Sequence, residues 1–73
     1  MEKQDIIIKA DMDELGSISR VIQKKGDFQS IEQEGECLVI IARIPLNEFD
    51  NIKEDLKKAL INDFSIELLN KKN

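Results

Sequence analysis

Histidine, tryptophan and tyrosine are absent from this chain of 73 residues, and Phe28, Phe49 and Phe64 are its only aromatics. Without an imidazole, acid–base catalysis near neutral pH loses its usual group. Ser17, Ser19, Ser30 and Ser65 therefore have no histidine to activate them as nucleophiles. Sheets that bind RNA stack its bases on aromatic side chains, so this composition argues against that role. A single cysteine, Cys37, excludes an internal disulfide, and a structural zinc site needs more Cys and His than the chain contains. Cys37 lies within an apolar run and reads as a small packed hydrophobe. A reducing, cytoplasmic compartment is the expectation. Three dispersed glycines leave no phosphate-cradling loop. No apolar run approaches a membrane span, and no signal-peptide pattern opens the chain.

Charge of both signs is abundant. Fifteen acids face eleven bases, a net charge of −4. That balance repels polyanions and argues against general nucleic-acid binding. Asp11, Asp13 and Glu14 could be pictured as a metal cluster, but helix caps and first-turn acids account for them. Lys24-Lys25 and Lys57-Lys58 could be pictured as phosphate ligands, but helix ends and a solvated face account for them. We expect no catalytic residue, no metal and no cofactor.

The chain is organised around Cys37–Pro45, its longest apolar stretch and rich in β-branched residues. Bounded by Gly35 and Pro45, it reads as a buried strand. Upstream, Ile6 to Ala10 reads as a strand of about five residues. A helix follows: Asp11 and Asp13 as caps, the stripe Leu15, Ile18, Val21 and Ile22, then Lys24 and Lys25, with Gly26 as a left-handed cap. Gly16 interrupts it at a cost of about 1 kcal/mol, for close contact with the sheet or an irregular first turn. Phe28 to Glu34 reads as a second strand. Phe28 and Ile31 differ in parity, so either a bulge intervenes or Phe28 belongs to the loop. Glu34-Gly35-Glu36 is a tight turn. After Pro45, Asn47 and Asp50 suggest a cap, and Phe49, Ile52, Leu56, Ala59 and Leu60 form a second helical stripe that Asn62-Asp63 ends. Ser65 to Leu69 reads as a last strand. Residues 1–5 and 70–73 read as frayed ends of one domain spanning 1–73.

The order strand, helix, strand, strand, helix, strand predicts an α+β, ferredoxin-like βαββαβ fold. Right-handed crossovers give a four-stranded antiparallel sheet with both helices on one face. Its first and third strands are central. Arg43 is hard to bury under a helix, so Cys37, Val39, Ile41 and Arg43 should line the open face, and Lys9 puts Ile7 there too. Ile31, Glu67 and Leu69 complete the expected set. Ile7, Val39 and Ile41, with Ile31 and Leu69, would form an apolar centre rimmed by Lys9, Arg43 and Glu67. An apolar patch with a charged rim is the usual look of an interface. The expected partner is another protein or a second copy, with no membrane involved.

Asp11-Met12-Asp13-Glu14-Leu15-Gly16-Ser17-Ile18 resembles the start of the C-terminal domain of bacterial IMPACT-type (YigZ-like) proteins. The resemblance continues through Gly26, Ile31 to Glu34, Val39, Ala42-Arg43-Ile44-Pro45, Phe49 and Leu56. Met12 stands where that family has tyrosine. The family domain is similar to C-terminal domains of elongation factor G, so the resemblance implies a translation-associated contact module without catalytic residues. A second resemblance, carried by Leu15 to Ile22 and by Asp13-Glu14-Leu15-Gly16, is to ACT regulatory domains. It implies an amino-acid sensor, with Asp13 and Gly16 as ligand positions. Under that alternative, one amino acid in excess raises the melting temperature, because a ligand bound only to the native state stabilises it. A scan of all twenty without a shift removes the alternative.

Overall fold

The computed structural model describes residues 2–69. The tail 70–73, expected to fray, lies outside the described residues. The chain folds as β1 (Lys3–Asp11), α1 (Leu15–Lys25), β2 (Asp27–Glu34), β3 (Cys37–Pro45), α2 (Phe49–Ala59) and β4 (Ser65–Leu68). One antiparallel sheet in the order β2-β3-β1-β4 carries both helices on one face, so the fold is ferredoxin-like. β1 begins at Lys3, earlier than the expected Ile6. β3 extends to Pro45 and takes Lys3, Gln4 and Asp5 as partners for Pro45, Ile44 and Arg43.

Alternation along the two central strands makes the core. Ile6, Ile8 and Ala10 of β1 and Leu38, Ile40, Ala42 and Ile44 of β3 point toward the helices and are buried. Ile18, Val21 and Ile22 of α1 and Ile52 and Leu56 of α2 close over them. Seven of the eight largest fully buried side chains are isoleucines. Such stiff, β-branched side chains suit a pleated surface.

The helices run antiparallel and are tied at both ends. A 3-10 turn, Met12–Glu14, leads into α1, and Asp11 caps it by accepting the Asp13 amide. Glu14 does more than the first-turn role expected of it. Its buried carboxylate accepts the amides of Ile61 and Asn62, at 3.1 and 2.8 Å, just beyond the end of α2. At the opposite pole, Lys25 ends α1 and donates to Glu48 Oε1 at 3.1 Å, before the start of α2. Glu48 also accepts from Asn51, and these two bonds, Asn51's first, hold its pKa below the ordinary glutamate value. The stabilisation is complete above the ordinary value and is lost as the pH falls through the lowered one. Asn47 is not the cap of α2. A second 3-10 turn, Leu46–Glu48, precedes the helix, and no side chain caps it. The helix ends at Ala59, with Leu60 already extended, short of the expected Asn62.

Of the two readings of its parity, β2 takes the bulge, with Phe28 inside the strand. Phe28 pairs with Ala42 and Ser30 with Ile41, so Gln29 is the extra residue. The β2–β3 turn has two central residues, and Gly35 takes φ +67°, the sign that a turn matched to strand twist needs at its first central position. Gly26 departs from expectation, being extended (φ −156°) rather than left-handed. Its missing side chain is what counts. A Cβ there would lie 2.5 Å from the Arg43 carbonyl oxygen and 2.7 Å from Ile44 Cγ2. Gly16 has open space around it instead of a sheet contact.

The two glycines therefore respond in opposite senses to alanine. Gly26→Ala should destabilise by about 1–3 kcal/mol through overpacking against β3. Gly16→Ala should stabilise by about 0.4–1 kcal/mol by restricting the unfolded chain. Urea unfolding of both variants decides the matter, and equal effects would refute the packing account.

Candidate interaction face

The side of the sheet away from the helices is built from odd-numbered positions of β1 and β3. Among the described residues, no helix or strand lies over it. Its rows follow from the strand register. Ser30, Ile41, Ile7 and Glu67 form one row; Glu32, Val39, Lys9 and Ser65 form the next. Asp27, Arg43 and Asp5 form a third, and Glu34, Cys37 and Asp11 a fourth. Ile7, Val39 and Ile41 are contiguous and half-buried, sheltered only by one another and by their polar neighbours.

Most of the expected face is therefore in place. Ile7, Val39 and Ile41 make its apolar centre, and Lys9, Arg43 and Glu67 are exposed around it. Leu69 follows β4, where its amide donates to the Asp5 carbonyl at 2.8 Å and its own carbonyl accepts from the Gln4 side chain. Alternation after Leu68, which faces Ile6, puts half-buried Leu69 on the open side.

Ile31 does not belong to this face. It pairs with Ile40 on the helix side and is 45% exposed at the sheet edge. The bulge at Gln29 is the cause, because it puts Phe28 and Ile31 on the same side. Cys37 is likewise corrected. As the first residue of β3 it is exposed at the end of the open face, not packed as a hydrophobe. Asp13 lies in the 3-10 turn before α1 and Gly16 in the first turn of α1, both exposed, and so they belong to the helix layer and not to the sheet face.

Sequence reasoning missed Asp5, which looked like part of a frayed end. Its side chain is 9% exposed on the open face, and Arg43 Nε donates to its Oδ1 at 2.9 Å. That hydrogen bond and the Asp5 charge raise the Arg43 pKa, with a smaller contribution from Asp27. The signal was weak, since an arginine on one central strand favours an acid at the matching position of the other but does not require one, as Lys9 opposite Val39 shows.

A second surface lies between the helices. Arg20, Lys24 and Lys58 line a groove of about 440 Å³, with Asp55 as its acid. Negative charge on the sheet side and positive charge in this groove thus sit on opposite sides of the molecule.

No family model matches this sequence, and neither does any curated protein. Among solved structures, the crystal structure of a protein from Thermus thermophilus is similar over 93% of this chain, with a TM-score of 0.68 and 19% identity. The matched region is 11% of that protein's length. At this identity the likeness establishes the fold alone.

The Asp5–Arg43 pair is testable without knowing any partner. Asp5→Asn and Arg43→Met should each lower the urea midpoint, and the double variant should lower it by less than the sum. Strict additivity would show that the pair contributes nothing.

Proposed function

We propose that this chain is a non-catalytic interaction domain that binds a protein through the open face of its sheet. The supporting observation is the contiguous apolar centre of Ile7, Val39 and Ile41, with no element packed over it among the described residues. A sheet face evolved only to meet water alternates to polar residues at its centre. Here Ile7, Val39 and Ile41 stay apolar, with Lys9 and the Asp5–Arg43 pair as the polar residues on the same two strands. The IMPACT-type resemblance supports a translation-associated setting, and the lone, unpaired Cys37 is consistent with a reducing compartment such as the cytoplasm. No helix among the described residues is long and apolar enough to cross a membrane.

Ile41→Lys separates an interface from a core. The variant should keep its stability within about 0.5 kcal/mol, as surface changes do, while losing the partner binding expected of the wild-type chain, read by a binding titration. Undiminished association would remove the proposal. Loss of folding would mean that Ile41 stabilises the monomer.

A further inference from the structure

We propose that the occupant of the open sheet face is a basic segment of another protein and not a second copy of this chain. The inference rests on that face being the interface, and its test can fail separately.

The charges of the rim carry the argument. On the β2 flank, Asp27, Glu32 and Glu34 stand opposite Arg43, Val39 and Cys37. On the β4 flank, Glu67 stands opposite Ile7. Glu32, Glu34 and Glu67 enter no ion pair among the described residues. The bases do not balance them. Arg43 is committed to Asp5, which leaves Lys9 beside the centre and Lys3 at the far end of β1. The apolar centre is thus flanked by acids on both sides.

A second copy fits this pattern poorly. Sheets that stack face to face in the aligned arrangement keep their strands within about 30° of one another. Such a pairing lays an acidic flank of one copy over an acidic flank of the other, whichever way the strands run. Like charges brought together across an interface oppose association. A stable interface buries about 800 Å² per partner, far more than three half-exposed aliphatic side chains supply, so it must extend over those flanks. Lysine and arginine satisfy both demands. Their stems lie on apolar surface while their charged ends reach the acids at the edge. One self-contact does match charge, the sheet face of one copy against the Arg20–Lys24–Lys58 groove of the next. It is head-to-tail and does not close unless its rotation forms a ring.

The test is a titration of the full chain, followed by amide NMR, with two short peptides, one alternating lysine and valine and one alternating glutamate and valine. Sedimentation equilibrium accompanies it. The lysine–valine peptide should shift Ile7, Val39, Ile41 and Glu67, and should bind less tightly as salt rises. Glu32→Lys with Glu67→Lys should weaken it by about tenfold or more. Equal binding of the glutamate–valine peptide overturns the inference, as do shifts confined to the helices or the absence of binding by either peptide. A dimer dissolved by Ile41→Lys, or an open-ended polymer dissolved by Lys58→Glu, overturns the inference while leaving the sheet face an interface. No binding by either peptide, together with an association that Ile41→Lys leaves unchanged, sinks both.

Discussion

Two helices cover one side of a four-stranded sheet, and that geometric limit governs the rest of this molecule. β1 and β3 are central, so each of their residues is either under a helix or on the uncovered side. The even positions from Ile6 to Ala10 and from Leu38 to Ile44 became a buried core of isoleucine, leucine and alanine. The odd positions kept Ile7, Val39 and Ile41 but placed Asp5, Lys9 and Arg43 among them. A chain of this length buries only about 60% of its unfolded surface. Apolar area left on an open face is therefore area not used for stability, and that makes its presence informative.

The helix layer is held by tethers as well as by packing. Glu14 lies at the start of α1 yet serves the segment leaving α2 by accepting two of its amides. Lys25 and Glu48 make the matching tie at the other pole. The two differ in kind. Glu14 is buried and its carboxylate accepts two amides, so solvent screens these bonds less. Lys25 and Glu48 are about one-third exposed, where solvent and salt weaken an ion pair. The α2–β4 connection is thus fixed more firmly than the approach to α2.

What could be read in advance depended on whether the signal was local. The parity of β3 was legible because Arg43 has one tolerable direction, and Lys9 fixed that of β1 in the same way. The bulge was legible as a conflict between Phe28 and Ile31, but not its position. Its placement at Gln29 moved Ile31 to the helix side. Gly26 looked like a helix cap by its place after two lysines. Its actual role, close approach to the Arg43 carbonyl and Ile44, comes from a strand far along the chain. Asp5 and Glu14 were misjudged for the same reason. Each is polar near an element's end, where a local explanation suffices, and each is committed to a partner more than thirty residues away.

The acids of β2 admit two physical explanations, and the register helps to separate them. β2 is an edge strand, and charge on an edge, like a bulge, discourages pairing with another chain's strand. Asp27, Glu32 and Glu34 meet that need. Protection of an edge, however, does not dictate which side of the sheet the charges occupy. On β2 the acids share the side of Ser30, while Phe28, Ile31 and Gln33 take the other. On β4 the same division holds, with Glu67 and Ser65 on the open side and Ile66 and Leu68 facing the helices. Both edges thus point their acids toward the apolar centre of β1 and β3. Burial of the helix side explains why the acids avoid it. It does not explain why Ile7, Val39 and Ile41 remain apolar between them, since solvent alone would favour polar residues there. An apolar strip with acidic margins is the pattern that the proposed partner, covering the strip and carrying the opposite charge to its edges, would require.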